Sequence, residues 1–289
     1  MLPLNDPSEI KTCIVISYAG EREYISDALQ SCFEQTVKTR ITLVIDGVVT
    51  DSKSERVFLQ DLSERIGFSN HLFQILVSAV SGPSALRNLG IDRSVCEFVL
   101  TLDADDRFGP KYVEEAEEIM GTNSNIGIVY GKARYFGLKN GVWHLPIFSK
   151  SKMALENQIY SSAVFRKDDW VVSGGYDEEL IFGAEDWDFW LKILSLGREV
   201  HYLQDTTYFY YRQRSKSRSE KFAQMHQEVS WTYNKIAENN LNFMKENLLE
   251  IYSRRVHLEN QNRQPSANAK WFLKSILRKS NIVRRILKR

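Results

Sequence analysis

The sequence predicts an α/β fold: a mostly parallel sheet covered by helices on both faces, followed by a helical C-terminal extension. Three observations lead there. Short β-branched runs alternate with amphipathic stretches up to Asp103, the pattern of strand–helix–strand units that build parallel sheets. Several of those runs end in polar residues (Ser17, Asp46 and Asp103), which gathers polar groups at the carboxyl edge, where ligands of such sheets bind. From Lys216 to Asn260 the pattern is almost wholly helical, until Pro265 breaks it.

The elements follow in order. "TCIVIS", 12–17, reads as a buried strand, and "REYISDALQSCFEQ" as a helix with Tyr24, Ile25, Ala28, Leu29, Cys32 and Phe33 on one face. "ITLVIDG", 41–47, is a second strand cut off by Asp-Gly. "SERVFLQDLSERIG" is a second helix closed by Gly67. "LFQILVS", 72–78, is a third strand. "SALRNLGIDRS" is a short helix with Ser84 as its cap, and "EFVLTLD", 97–103, is a fourth strand. After Pro110, "KYVEEAEEIM" is helical, while "IGIVYGKARYFG" and "NQIYSSAVF" read as strands of a more mixed sheet. "AEDWDFWLKILSLG", 184–197, is an amphipathic helix stopped by Gly197, and "EVHYL" and "TYFYYR" are two further strands.

The totals fit one large domain or two modest ones. Hydrophobic content is 43% and charged content 26% over 289 residues, ordinary globular values. A net charge of +1 does not favour nucleic acid as a partner. Cys13, Cys32 and Cys96 are scattered and odd in number, as expected of reduced thiols in the cytosol rather than a disulfide framework. No apolar run approaches a membrane span, and the N-terminus has neither the basic start nor the apolar core of a secretory signal.

Three stretches carry chemistry. In "LTLDADDRF", Asp103 and Asp105 stand two apart at a strand end and Asp106 follows. Read alone, this is either a solvated acidic turn or a site for a hard divalent cation, which takes carboxylate and phosphate oxygens. In "GPSALRNLGID", Arg87 and Asn88 lie on the helix leading to that strand. An arginine there would meet a phosphate or brace the carboxylates. In "GGYDEELIFGAEDWDFW", Glu185 and Asp186 open a helix. The helix dipole favours acids at that end, and a carboxylate held there also suits general-base work. Trp190 is expected in the core, and Trp187 is the candidate to offer a flat face to a sugar or base on the acceptor side.

Together, "CIVISYAGEREYISDAL…EQT", "LVIDGVVTD", "SGPSALRNLGID", "EFVLTLDADD", "GGYDEEL…GAEDWDFW" and "YYRQRSKSRS" occur in the order seen in family 2 glycosyltransferases. Over roughly residues 10–219 the sequence resembles that family, of the type that builds bacterial cell-surface polysaccharides. The resemblance implies the Rossmann-like GT-A fold over residues 1–215, with 1–110 as the nucleotide-sugar-binding half and 111–215 as the acceptor half. It also implies an inverting transferase that takes a nucleotide-sugar donor of the UDP-linked class and uses Mn²⁺ or Mg²⁺. Residue by residue, it implies that Asp46 hydrogen-bonds the nucleotide base. Asp105 holds the metal, and Asp103 contacts ribose or metal-bound water as the other half of the DxD pair. Arg87 and Asn88 line the donor site with Ser17 and Tyr18. Asp186 is the base, and Glu185 is the fallback candidate.

The sequence also departs from the family pattern. Ala19 and Gly20 replace the usual Tyr-Asn, so that Tyr18 falls one place early. Gly47, Val48 and Val49 replace the second acid and Gly-Ser after Asp46. Arg214 stands where a histidine, sometimes a metal ligand, often follows "YR"; a guanidinium would grip pyrophosphate but cannot ligate a metal.

Residues 216–289 form the extension. Its end, from Gln264 to Arg289, holds eight basic residues and no acid, with Phe272, Leu273, Ile276 and Leu277 on one face. This basic amphipathic tail fits equally an anionic membrane surface or packing on the body. The first option places the protein in the cytoplasm, peripheral on the inner face of the cell membrane, acting on a glycan or lipid-linked acceptor. Two competing readings are a nucleotidyltransferase, for which "SYAGERE" is a poor phosphate loop, and a catalytically silent nucleotide-binding or membrane-docking subunit.

Overall fold

A computed structural model describes residues 10–69, 71–215 and 225–262. The basic tail and its expected membrane face lie outside the described residues. Strands β1 (Thr12–Tyr18), β2 (Arg40–Asp46), β3 (Phe73–Ser78) and β4 (Phe98–Asp103) alternate with helices α1 (Ile25–Phe33), α2 (Ser52–Ile66) and α3 (Pro83–Asp92). β2 pairs with β1 and β3, and β1 with β4, all in parallel. Successive side chains on a strand face opposite sides of the sheet, yet all seven residues of β1 are buried, so both faces here are covered.

The chain continues with β5 (Arg107–Phe108), α4 (Tyr112–Thr122), β6 (Ile126–Gly137), β7 (Gly141–Trp143), β8 (Val164–Arg166), α5 (Lys167–Ser173), α6 (Glu185–Ser195) and β9 (Glu199–Gln213). The sheet runs β3-β2-β1-β4-β8-β6-β9-β5, with β7 on β6. β8 pairs antiparallel with both β4 and β6, so the two halves expected on either side of residue 110 share one sheet. Helices α7 (His226–Asn239) and α8 (Leu241–Asn262) follow, and Asn240 at their junction donates to Asp188 of α6 at 2.8 Å.

Three predicted elements differ from those observed, and β5, β7 and α5 have no predicted counterpart. Ser84 does not cap α3: the cap position is Gly82 at φ 103°, Pro83 takes the first helical position, and the Ser84 hydroxyl is buried without a partner. Of the expected strand 157–165, only its end pairs as β8. Earlier in the stretch, the Thr101 hydroxyl donates to the Ser161 carbonyl at 2.7 Å, and Gln158 is tied to Ser149. The two strands expected after Gly197 are one long strand, β9, which follows β6 in parallel through register shifts near Gly131 and Lys132.

One glycine sets the position of α3. A Cβ on Gly90 would lie 2.4 Å from Val15 Cγ1, so only glycine lets the helix settle this closely on β1. That approach brings Arg87, one turn earlier, to the carboxyl edge of the sheet.

Candidate active site

Beyond the ends of β1, β2 and β4 opens a cleft of about 680 Å³. Ser17, Asp46, Arg87, Asp103, Asp105 and Arg214 line its β1–β4 side, and Tyr135, Trp143, Asn157, Tyr160, Asp186 and Tyr211 line the opposite side.

Each acid of the "DADD" stretch meets an arginine. Asp103 Oδ1 accepts from Arg87 Nη2 at 2.8 Å and from the Ser17 hydroxyl at 3.3 Å. Asp105 Oδ2 pairs with Arg214 Nε at 2.8 Å. Asp106 is buried and accepts from the Arg212 backbone N–H at 2.7 Å, while Arg212 Nε donates to the Asp105 carbonyl at 2.8 Å. Burial, then the charge of Asp103, pushes the Asp105 carboxyl up to about 6 against the pull of Arg214. Burial and the two neighbouring acids raise Asp106 well above the ordinary carboxylate range.

Arg87 is the hub. It is 1% exposed, and its Nη1 donates to Glu185 Oε1 at 2.8 Å while Nη2 holds Asp103. Burial alone would push the guanidinium down; the charges of Asp103 and Glu185 outweigh it and hold it above its ordinary value. One fixed fork thus ties the end of β4 to the start of α6.

That pairing separates the two candidate bases. Glu185 is 3% exposed and engaged by Arg87. Asp186 is part-exposed and lines the cleft, with Oδ1 accepting from the Trp187 backbone N–H at 2.8 Å and Oδ2 from Asn157 Nδ2 at 3.0 Å. The helix is entered through Gly183 and Ala184, and Ala184 has φ 60°. It is the sole non-glycine with positive φ among the described residues. Strain of this kind persists where the surroundings fix it, and here it turns the first residues of α6 to the cleft.

Three predicted site residues do not reach the cleft. Tyr18 is fully buried and donates its hydroxyl to Glu55 Oε2 at 2.5 Å, because it follows Ser17 on a strand and points to the opposite face. Asn88 braces the loop after α5: its Oδ1 accepts from Trp170 Nε1 and the Tyr176 N–H, both at 3.0 Å. Trp187 is 7% exposed, with its indole N–H on the Met153 carbonyl at 2.8 Å, so it is a core residue. Asp46 does line the cleft, but both of its oxygens are engaged. Oδ1 accepts from the N–H groups of Val48 and Val49, and Oδ2 from the Ser81 hydroxyl at 2.6 Å and the Gly82 N–H. It therefore fixes the two loops that wall this end.

Sequence reasoning missed the aromatic wall. Tyr135 stacks on Trp143 at 5.2 Å, Tyr160 stacks on Phe209 at 4.5 Å, and Tyr211 lies 5.4 Å from Trp143. The signal available was the alternation in "TYFYYR", which puts Phe209 and Tyr211 on one face of a strand. Asn157 and Arg212 were missed as well, and nothing local marks either.

The donor set suits a hard cation only in part. Asp105 and Asp103 face the cleft with side chains 14% and 37% exposed, and each gives one oxygen to an arginine. No group of three or more His, Cys, Asp or Glu that could hold a metal occurs among the described residues. Mn²⁺ or Mg²⁺ would fit here if diphosphate oxygens and water completed the shell, which is the usual way such ions are held.

Comparison with known proteins shows the family. The profile described as Glycosyl transferase family 2 matches residues 13–178. The chain is 27% identical over 195 residues to the amylovoran biosynthesis glycosyltransferase AmsE of Erwinia amylovora, covering 63% of this chain and 68% of that one. It is 28% identical over 189 residues to an uncharacterized glycosyltransferase of Haemophilus influenzae, covering 63% of this chain and 60% of that protein. Among solved structures, S. aureus TarS in complex with UDP-GlcNAc superposes with a TM-score of 0.59 at 18% identity, over 81% of this chain and 72% of that one. The mannosyltransferase PcManGT of Pyrobaculum calidifontis, in complex with GDP-Man and Mn²⁺, gives 0.58 at 14% identity, over 93% and 80%. These neighbours share the GT-A fold. No helix among the described residues is long and apolar enough to cross a membrane. With more than half of its length matched by the family profile and the site built at the expected sheet edge, the chain belongs to glycosyl transferase family 2.

Proposed function

We propose that this glycosyltransferase moves a sugar from a nucleotide-sugar donor, of the UDP-linked class, to a hydroxyl of a glycan or lipid-linked acceptor, with inversion by a single displacement. The observation that carries this reading is the Arg87 fork, which holds Asp103 of the donor side and the first turn of α6 in one frame. The donor lies against Ser17, the loops fixed by Asp46, and Asp103, with Arg214 toward the diphosphate. Asp186, oriented by Asn157, takes the proton from the acceptor hydroxyl as its oxygen bonds to the anomeric carbon. The bond from that carbon to the diphosphate breaks on the opposite side, so the configuration inverts. Asp105 and Asp103 would hold Mn²⁺ or Mg²⁺ together with the diphosphate, where the ion supplies neutralisation of the leaving group's charge. AmsE, named for amylovoran biosynthesis, and the UDP-GlcNAc complex of TarS support the donor and acceptor classes.

The test is a panel of nucleotide sugars, followed first by thermal shift with and without Mn²⁺ and then by release of nucleoside diphosphate. A stabilising donor that is also turned over supports the proposal. Asp186→Asn should lower kcat by about 10²–10⁴-fold with donor affinity retained. Donor binding without any turnover would instead make the chain a silent subunit.

A further inference from the structure

Two of the carboxylates at the end of β4, Asp103 and Asp105, already pair with arginines of the chain itself, and the arginines around this turn are not held alike. Arg87 is 1% exposed and clamped by two acids. Arg212, with a side chain 13% exposed, lies between the rings of Tyr24 and Phe136 at 4.7 and 4.3 Å, pairs with Asp27, and donates to the Asp105 carbonyl. Arg214 differs. Its side chain is 35% exposed, it sits just past the last residue of β9, and it meets Asp105 Oδ2 at 2.8 Å, with the Tyr24 ring 5.9 Å away. Of the three, it has the room to leave. Asp105 is also the acid that a divalent cation would need.

We propose that Arg214 is a resident countercation of Asp105 that competes directly with a divalent metal, and that the donor's diphosphate resolves the competition by taking the guanidinium. Two cations cannot both sit on the Asp105 carboxylate without repelling each other in a partly buried site. A diphosphate offers the displaced guanidinium a bidentate partner and offers the metal its missing oxygens. Nucleotide and metal therefore bind with positive coupling, and Arg214 is the positioning residue that supplies it. Competition for the metal stands apart from the proposed transferase reaction, whereas the role of the diphosphate rests on it.

The experiment measures Mn²⁺ binding to the intact protein by the loss of the free-ion EPR signal, with and without UDP. The proteins compared are wild type, Arg214→Gln, Arg214→Lys and the double variant Arg214→Gln/Asp105→Asn. Removing one ion pair of this exposure raises Mn²⁺ affinity in the nucleotide-free Arg214→Gln protein by about two- to fivefold. Arg214→Lys lies between, and the double variant loses the gain. In the same variants UDP affinity measured in EDTA falls, and the mutual enhancement between UDP and Mn²⁺ shrinks. Unchanged or weaker Mn²⁺ binding by a natively melting Arg214→Gln protein overturns the competition, as does tight Mn²⁺ binding by the wild type without UDP. Should Arg214→Gln not fold, unchanged Mn²⁺ binding by Arg214→Lys overturns it equally. A protein that binds Mn²⁺ as expected but never binds UDP leaves the competition standing and removes the donor reading.

Discussion

Deleting the guanidinium of Arg87 while leaving Glu185 in place is expected to be the costliest single change in the cleft. Arg87→Met keeps most of the side chain's length and removes its charge. Two acids lose a partner, but the losses are unequal. Asp103 has a side chain 37% exposed, so water can replace the arginine, and exposed pairs are worth about 0–1 kcal/mol. Glu185 is 3% exposed, and a buried carboxylate deprived of its cation costs about 3–5 kcal/mol. Against a total stability of about 5–15 kcal/mol, the variant loses about a fifth of its margin or more. Urea unfolding at neutral pH measures this as a fall in midpoint at constant slope. The double variant Arg87→Met/Glu185→Leu, which removes the stranded charge, should recover at least about 2 kcal/mol. It should not recover kcat, because Asp103 still lacks its brace. A loss below about 1 kcal/mol in the single variant would show that the fork is not what holds α6 to β4. A double variant no more stable than the single would refute the reasoning about Glu185.

Further outcomes follow at Glu55, Tyr18 and Ala184. Burial raises the Glu55 carboxyl, but donation from Arg22 at 3.0 Å and Tyr18 at 2.5 Å outweighs it and holds the group below its ordinary 4.5. The folded protein then binds that proton less tightly than the unfolded chain does. The stabilisation is therefore complete above the ordinary value and is lost as pH falls through the lower folded one. Melting wild type and Glu55→Gln side by side should show the widest gap near neutral pH and convergence in acid. Tyr18→Phe should lower the melting point and leave nucleotide affinity unchanged. At the turn into α6, Ala184→Gly relieves the positive φ at some entropic cost and should change stability by less than about 1 kcal/mol. Ala184→Val puts a branched side chain in that backbone and should lower both the melting point and kcat; a Val variant as active and stable as wild type would remove the case for strain there.

The first half of the fold was legible because each of its strands is a short apolar run closed by a polar residue or glycine, with a helical period between runs. Beyond Pro110 the same reading falters where pairing partners are distant. Trp143 finds its place through a short strand on Ala133, and Tyr160 through Phe209, which no local pattern encodes. At the site, the sequence located the right loops but not always the right faces. Each residue placed in the cleft in error is next to one that lines it. Ser17 lines the cleft while Tyr18 meets Glu55 behind the sheet. Arg87 lines it while Asn88 reaches Trp170. Asp186 lines it while Trp187 reaches Met153. A one-residue step reverses direction on a strand and turns about 100° on a helix, and which face is inward depends on packing that a single stretch does not show.

Stability alone gives no reason to bury Arg87. A buried ion pair can often be replaced by apolar residues of similar volume at no net loss, so an arginine kept at 1% exposure must answer to something besides the melting point. Its position supplies the reason. Asp103 stands at the end of a parallel strand on the proposed donor side, and Glu185 precedes the candidate base on a helix reached through a strained turn. An apolar contact between them would hold distance loosely and direction hardly at all. A planar guanidinium fixes both, because its two N–H groups leave at a set angle. In the proposed single displacement the acceptor oxygen, the anomeric carbon and the departing diphosphate oxygen lie nearly in line, and small misplacements are costly in such a geometry. The fork is therefore best understood as a spacer between the two ends of that line.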